Sequence, residues 1–288
     1  MLSNTWTDME RFAYTKSDGT EDLHPKRQEP LFHHLPKQVP VELYAGNSAY
    51  EKADGNIEPR LYFIISGGTT REKCFLQTLI NNKDNVFHSL KLVFLTSVKK
   101  AGGLTPKMMA LQWREIQKKG CISLQGRVYL LEDFDKVYMI TDVDHYEDEL
   151  RQILLSGSQP CEWVISNPDI EVWLYYCYFD NPKVDLESVR LAPLSRRPSQ
   201  MKAMNAKLHP GGIDPRKAFF NMKRGIVNAK KCYEEDVAHF PALFSTQMWR
   251  LCEDIEGVMP EEFEKWRQAE IERIRRNRKQ VREPKSTN

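Results

Sequence analysis

The sequence lacks the patterns that mark secreted, membrane-spanning and zinc-binding proteins. Its six cysteines form no C-x-x-C pair and no Cys/His cluster at zinc-ligand spacing, which predicts reduced thiols. The amino terminus has no apolar signal-peptide region. The longest apolar run, residues 172–179, is far too short to span a bilayer. We therefore expect a cytoplasmic protein that makes no membrane contact.

An excess of one charge is also missing from the chain as a whole, because its 288 residues carry a net charge of only +2. The distribution of charge is more informative. Between Arg190 and Lys231 there are eleven Lys or Arg residues and one acid, Asp214. Such stretches are typical of surfaces that contact nucleic-acid phosphates, although a solvated helical face can have the same composition. The candidate contacts are Arg196, Arg197, Lys202, Lys207, Lys223 and Arg224.

Short apolar segments alternate with helical patterns in the first half of the chain. The segments are 61–65, 91–96, 137–141 and 162–166. Between them, apolar residues recur at helical spacing, and a Thr-Pro pair at 105–106 marks the start of one helix. This β-α-β-α-β-α-β order predicts an α/β fold, with a mostly parallel Rossmann-like sheet flanked by helices.

The composition also predicts how the chain is divided. Residues 1–58 are polar and rich in Pro and His, which indicates an irregular arm. Residues 59–188 form the α/β domain. A basic helical region, 189–260, is expected to pack on that domain, and residues 261–288 are predicted to form a charged helical tail.

Acidic side chains follow two strands of the predicted sheet. Asp142 and Asp144 come after the segment 137–141, and Glu171 lies shortly after 162–166. The carboxyl ends of parallel strands are where ligands bind in open α/β sheets. Residues i and i+2 leaving a strand point to the same side, so the two aspartates should converge. Carboxylate oxygens suit Mg²⁺ or Mn²⁺, which identifies Asp142 and Asp144 as candidate metal ligands.

Other interpretations of these residues stay open. Glycosyltransferases use D-x-D pairs, and haloacid-dehalogenase-like phosphatases carry one on their first strand. Asp144 could instead cap the next helix, and Glu171 suits the first turn of a helix. After the first strand, Glu72 with Thr69 fits a capping box. The turn at Gly67 could leave backbone N–H groups free for a phosphate, or could simply be tight.

Three segments together resemble the RloB-like family, which carries a TOPRIM-type domain and is associated with phage-defence and restriction-linked loci. Residues 61–79 resemble the family's opening strand and helix, and 137–144 its acidic strand. Residues 165–174, Ile-Ser-Asn-Pro-Asp-Ile-Glu-Val-Trp-Leu, are similar to its S-N-P-x-(aromatic or apolar)-E-x-W-L signature. The resemblance covers residues 60–256.

This resemblance implies a TOPRIM-like fold in which active members join a glutamate after the first strand to a D-x-D that holds Mg²⁺. The position of the first acid falls at Gly67, and Glu72 matches a second acid. Glu171 is therefore the catalytic acid expected to supplement Asp142 and Asp144.

Two functions follow from the motif and the resemblance. One is a Mg²⁺-dependent nuclease or phosphodiesterase that acts on DNA or RNA in phage defence by abortive infection. The other is a catalytically degenerate TOPRIM module that binds nucleic acid or a partner ATPase. The glycine at position 67 is the feature that favours the second function.

Overall fold

The structure of the chain is a computed structural model. The structure describes three short strands within residues 1–58 and, beyond them, residues 60–81, 87–97, 103–124, 127–131, 135–144, 146–156 and 161–282. The predicted irregular arm lies outside the described residues apart from those strands.

The strands are numbered in chain order as β1 (Tyr14–Thr15), β2 (Glu21–Asp22), β3 (Leu43–Ala45), β4 (Arg60–Ser66), β5 (Leu90–Ser97), β6 (Cys121–Leu124), β7 (Arg127–Leu130), β8 (Lys136–Asp142) and β9 (Glu162–Ser166). The main sheet has the order β3-β5-β4-β8-β9, in which β3 is antiparallel to β5 and the other neighbours are parallel. This confirms the predicted mostly parallel sheet. The pairs β1–β2 and β6–β7 are antiparallel.

The α-helices are α1 (Arg71–Phe75), α2 (Gln77–Asn81), α3 (Pro106–Lys119), α4 (Glu147–Leu155), α5 (Glu171–Tyr176), α6 (Pro182–Asp185), α7 (Glu187–Arg190), α8 (Arg197–Leu208), α9 (Pro215–Ala218), α10 (Met222–Cys232), α11 (Met248–Val258) and α12 (Pro260–Arg282). Leu194–Arg196 and Phe219–Asn221 form 3-10 turns. The helices therefore flank the sheet and continue into a helical region at the carboxyl end of the chain.

Side chains of the parallel strands alternate between two hydrophobic cores. In β4, Tyr62 and Ile64 enter the first core, while Phe63 and Ile65 enter the second. This is the two-residue period of a strand buried on both faces. The first core joins one face of the sheet to α1, α2, α5 and the helices from α8 to α12. The second core lies between the other face, α3 and the β6–β7 hairpin.

Local signals placed α3 correctly. Thr105 Oγ1 accepts a hydrogen bond from the Met108 N–H, and the helix ends at Gly120 with a positive φ of 63°. These are the expected N-terminal cap and left-handed C-terminal cap. The capping box at the start of α1 is wrong, because Thr70 occupies the N-cap position and its side chain makes no capping hydrogen bond.

Two structural features were not predicted from the sequence. The three-residue strand β3 pairs with β5 at the edge of the main sheet, and the hairpin of β6 and β7 covers part of the second core. Both elements are short, and β3 is fixed by pairing with a distant segment rather than by a local pattern.

The helical region after residue 189 shares the first core with the sheet. Asn228 of α10 donates hydrogen bonds to the backbone oxygens of Tyr176 and Phe179, at 2.9 and 3.0 Å, and so satisfies carbonyls at the end of α5. Ser166 at the end of β9 forms a backbone bridge with Thr246. The carboxyl ends of the strands are therefore held against this helical region.

In the part of the chain that the structure covers, no helix has both the length and the apolar composition needed to cross a lipid bilayer. All six cysteines lie in that part, and each is a free thiol.

A partly buried hydrogen-bond network joins the helical region to the amino ends of the parallel strands β4 and β8. Asp254 of α11 accepts a hydrogen bond from the Tyr62 hydroxyl at 3.0 Å and a short one from the Tyr138 hydroxyl. Lys136 Nζ lies 2.5 Å from the same carboxylate oxygen. Both tyrosines are fully buried, so their hydroxyls depend on Asp254 as an acceptor.

We expect Asp254→Ala to lower the free energy of unfolding by at least about 2 kcal/mol, because two buried hydroxyls lose their acceptor. The measurement is urea unfolding followed by circular dichroism. The matched control is Glu253→Ala on the same helix, where an exposed ion pair with Lys230 is lost and the expected cost is below about 1 kcal/mol. Equal costs for the two variants would contradict this role of Asp254.

Candidate functional site

The carboxyl ends of three parallel strands meet at one edge of the sheet. Asp142, the last residue of β8, is in register with Ser166, the last residue of β9, and Ser66 at the end of β4 pairs with Ile140. Short turns lead from β4 into α1 and from β9 into α5. Side chains from both turns and helices can therefore reach the end of β8, as expected for this edge of an α/β sheet.

Five carboxylates come close enough at this edge for their charges to interact. They are Glu72, Asp142, Asp144, Asp169 and Glu171. Three of these side chains are almost completely buried, because Glu72, Asp169 and Glu171 expose only 3%, 4% and 2% of their surface. We call these five residues the acidic cluster.

The backbone after β8 differs from the strand geometry assumed for the D-x-D pair. The strand ends at Asp142, and Asp144 has a positive φ of 34°. The Val143 and Asp144 N–H groups donate to the backbone oxygens of Ser166 and Pro168, at 2.9 and 3.1 Å. Both aspartates still belong to the acidic cluster, but a bent loop held against the end of β9 positions Asp144.

Burial and like charges oppose ionisation of Asp142. The pKa of Asp142 is raised well above its usual value, first by burial and then by the charges of Glu72, Asp169 and Asp144. Its Oδ1 atom is shielded from solvent and accepts no hydrogen bond from the described residues. The Asp142 carboxyl group is therefore favoured in its protonated form unless a nearby cation offsets the charge of the carboxylate.

The same causes act on two acids from the neighbouring turns. Burial is the largest cause that raises the pKa of Asp169, followed by the charge of Glu171. Burial and the charge of Glu171 likewise raise the pKa of Glu72. The positive charge of the exposed Lys202 in α8 opposes both shifts.

The carboxylate of Glu72 fills the space beside the turn after β4. A Cβ atom built on Gly68 would lie 2.2 Å from both Glu72 carboxylate oxygens. On Gly67 it would lie 3.0 Å from the Leu104 carbonyl oxygen and 3.3 Å from Thr141 Oγ1. A side chain at position 67 would therefore require its neighbours to shift. Glu72 brings an acid to the end of β4 without using that position.

Glu171 lies in the cluster but is held by other side chains. Arg71 Nε is 3.1 Å from Glu171 Oε1, an ion pair between α1 and α5. Asn205 of α8 is 1% exposed, and its Nδ2 donates to the backbone oxygen of Glu171 at 3.0 Å and to Oε2 at 3.3 Å. The Glu171 N–H donates to Asp169 Oδ1 at 3.2 Å. Glu171 thus connects the acidic cluster to Arg71 and to the helical region.

Two alternative interpretations do not match the observed contacts. Asp144 is not the N-cap residue of the next helix, since Tyr146 occupies that position in α4 and its own side chain makes no capping hydrogen bond. In the turn after β4, the Gly67 N–H donates to the Ile140 carbonyl at 2.8 Å. This N–H group is therefore already used within the sheet and is not available to a phosphate.

The basic residues predicted from the sequence have different partners. The charge of Lys202 acts on the acidic cluster, whereas Lys223 pairs with Glu256 of α11 at 3.0 Å. Arg197 donates to the backbone oxygen of Ala192 at 3.3 Å. The other candidates, Arg196, Lys207 and Arg224, are exposed. Their contact with nucleic acid stays a prediction.

Glu72 and Asp169 were not chosen as site residues from the sequence. The pattern around Glu72 suited a capping box equally well, and Asp169 lies in the S-N-P signature without a spacing rule of its own. A usable signal was available, because both follow the carboxyl end of a parallel strand. All five cluster acids lie within six residues of such an end, as do Glu147 and Asp148, which lie outside the cluster in the first turn of α4.

The acids form a charged cluster rather than a complete set of ligands. Within the described ranges, no three His, Cys, Asp or Glu side chains are arranged as the ligands of one ion. Mg²⁺ commonly binds through one or two carboxylates and completes its shell with waters and substrate phosphates. The cluster is compatible with that kind of site.

The chain matches no protein-family model, no curated protein and no solved structure.

We expect Asp142→Asn to stabilise the protein in the absence of divalent cations. A carboxyl group whose pKa is raised by folding destabilises the folded state once it must ionise. This cost is absent below the unfolded-state pKa of about 4 and becomes complete above the folded-state pKa. The free energy of unfolding, measured in EDTA, should therefore rise in the variant at alkaline pH and change little in acid.

The matched control is Asp148→Asn in the first turn of α4, where the aspartate is exposed. It should give no gain at alkaline pH, because a negative charge there favours the helix. If both variants have the same pH dependence as the unmodified protein, the acidic cluster carries no such cost.

Proposed function

We propose that the protein is a Mg²⁺- or Mn²⁺-dependent phosphodiesterase that cleaves nucleic acid at the acidic cluster. The observation that supports this most is the charge imbalance at the carboxyl edge of the sheet. Five carboxylates interact with two cations, Arg71 and Lys202, so the cluster would carry three excess negative charges if all five acids were ionised. A divalent cation would offset this excess without requiring the acids to be protonated.

The donor atoms suit such an ion. Asp142 Oδ1 and Asp169 Oδ2 are both shielded from solvent, and neither accepts a hydrogen bond from the described part of the chain. Carboxylate oxygens are the ligands that Mg²⁺ and Mn²⁺ prefer. We propose that one or two of the carboxylates of Asp142, Asp144 and Asp169 hold the cation, with waters completing its shell, and that Glu72 supplies the acid expected after the first strand.

The remaining residues would bind and orient the substrate. When bound, the cation would polarise the phosphate and stabilise the charge that develops as the ester bond breaks. Lys202 lies near Glu72 and Asp169, so its ammonium group would attract a phosphate to the same edge. Glu171, predicted as an auxiliary acid, would act by holding Arg71 beside the cluster.

The biological setting is proposed from the sequence resemblance alone. The RloB-like segments imply a TOPRIM-type nuclease in phage defence, working with a partner ATPase on DNA or RNA. The S-N-P signature contributes Asp169 and Glu171 to the cluster, so the most specific part of the resemblance coincides with the candidate site. This agreement supports the proposal.

One observation favours a second function, a module that binds nucleic acid or a partner ATPase without cleaving. The position of the first acid in the family pattern is Gly67, and the space for a side chain there borders the Leu104 carbonyl oxygen and Thr141. If Glu72 cannot replace that acid chemically, the site would bind a phosphate without turnover.

We expect the purified protein to bind Mg²⁺ in calorimetry and to cleave labelled DNA or RNA only in the presence of Mg²⁺ or Mn²⁺. Asp142→Asn and Asp169→Asn should each weaken cation binding and lower kcat by at least about a hundredfold, because a group acting on the transition-state charge is lost. Asp148→Asn, which removes an exposed charge outside the cluster, is the control and should keep full activity.

The outcomes separate the two functions. Unchanged cleavage in Asp142→Asn would reject the proposed roles of the cluster. Nucleic-acid binding without Mg²⁺ binding or cleavage would select the non-catalytic module.

A further inference from the structure

Arg71 lies at the border between the acidic cluster and solvent. Its Nε is 3.1 Å from Glu171 Oε1, and its Nη1 donates to the Ile213 carbonyl oxygen at 3.3 Å. The side chain is 42% exposed, in contrast to the buried Glu171. Arg71 directly precedes Glu72 in α1, and its charge acts on the Glu72 carboxylate. The guanidinium is thus held beside the cluster while part of it faces solvent.

These two anchors come from different parts of the fold. Glu171 begins α5, and Ile213 precedes α9, which packs against α1. Asn205 of α8 holds the Glu171 carboxylate from another side through Oε2. The plane of the guanidinium is therefore fixed by groups that are themselves anchored, which lowers the entropy lost when Arg71 binds a ligand.

The anchors leave part of the guanidinium unused. An arginine carries five N–H donors. Nη1 donates to Ile213, Nε is in ion-pair contact with Glu171 without forming a hydrogen bond to its Oε1, and Nη2 has no acceptor within the described residues. A half-exposed, oriented guanidinium with donors to spare matches the geometry of a phosphate oxyanion, which arginine binds through two parallel hydrogen bonds.

A purely structural role explains less of this arrangement. Neutralising Glu171 would need one cation in contact with its carboxylate, and Asn205 already hydrogen-bonds the same group. It would not require a second anchor on Ile213, nor a guanidinium that remains almost half exposed.

We propose that Arg71 is a substrate-binding residue that holds a phosphate of the nucleic-acid strand next to the phosphodiester at the acidic cluster. Glu171 and the Ile213 carbonyl orient it. This inference rests on the proposed function, because it requires a nucleic-acid strand at this edge of the sheet. The contact between Arg71 and this phosphate would determine which bond along the strand is placed at the acidic cluster.

The test is a scan of single phosphates. A short single-stranded oligonucleotide, prepared once as DNA and once as RNA, is made in versions that each replace one phosphate by a neutral methylphosphonate. Affinities for the full-length protein are measured by fluorescence anisotropy, with Ca²⁺ in place of Mg²⁺ and again in EDTA. The scan is repeated with Arg71→Ala and with Arg71→Lys.

We expect Arg71→Ala to weaken binding of the unmodified strand by roughly ten- to a hundredfold, the range for hydrogen bonds to charged groups. The slope of log affinity against log salt should decrease by about one phosphate contact. One methylphosphonate position should weaken binding to the unmodified protein and have no further effect in Arg71→Ala. Arg71→Lys should restore part of the affinity, because it keeps the charge but loses the planar fork.

Arg190→Ala is the matched control. Arg190 is an exposed arginine in a surface ion pair with Glu187, so its loss removes the same charge outside the site. The control should leave the phosphate scan unchanged. Unfolding curves of all variants show whether a loss of affinity reflects a loss of structure. If Arg71→Ala is unstable, the phosphate scan of Arg71→Lys is compared with that of the unmodified protein instead.

Each result decides the matter. Suppose that the unmodified protein binds the strand, and that each methylphosphonate lowers affinity equally in the unmodified protein, Arg71→Ala and Arg71→Lys. Arg71 then contacts no phosphate, and this inference is overturned while the proposed function stands. If the unmodified protein binds neither the DNA nor the RNA strand, the proposed function is rejected, and the proposed role of Arg71 is rejected with it.

Discussion

Repulsion between carboxylates that have been removed from water is the constraint around which this fold is arranged. Glu72, Asp142 and Asp169 each have a pKa raised by burial and by neighbouring acids, so the folded chain holds them together at a cost in stability. Natural proteins rarely keep such a cluster for structural reasons, because apolar residues would pack there without repulsion. A cost that persists in the native structure is characteristic of functional sites.

The rest of the molecule supports this arrangement from both sides. The parallel sheet brings the ends of β4, β8 and β9 to one edge, and the helical region contributes Lys202 and Asn205 to the same place. The two regions are joined by one continuous hydrophobic core, and at the opposite edge of the sheet Asp254 ties α11 to two buried tyrosines. The helical region is therefore part of the site's framework, because it supplies one positive charge and one buried amide to the acidic cluster.

The sequence was sufficient for the features that depend on local pattern. The four parallel strands were predicted because buried strands read as short apolar runs, and Asp142 and Asp144 because they end one of them. Features that depend on three-dimensional packing were missed. β3 is defined by pairing with β5, and Glu72 had a local explanation that its burial against Gly68 overturns. The crowding at Gly67 comes from Leu104, which is distant in sequence and is placed there by the loop before α3.

If the acidic cluster binds a divalent cation in the folded protein, anomalous diffraction from a crystal containing Mn²⁺ should locate it. We expect an anomalous peak within coordination distance of one or two carboxylates among Asp142, Asp144 and Asp169, and no peak at this place in a crystal of Asp142→Asn. Mn²⁺ bound elsewhere, or an acidic cluster that keeps its arrangement with no ion at saturating Mn²⁺, would show that the cluster is not a cation site.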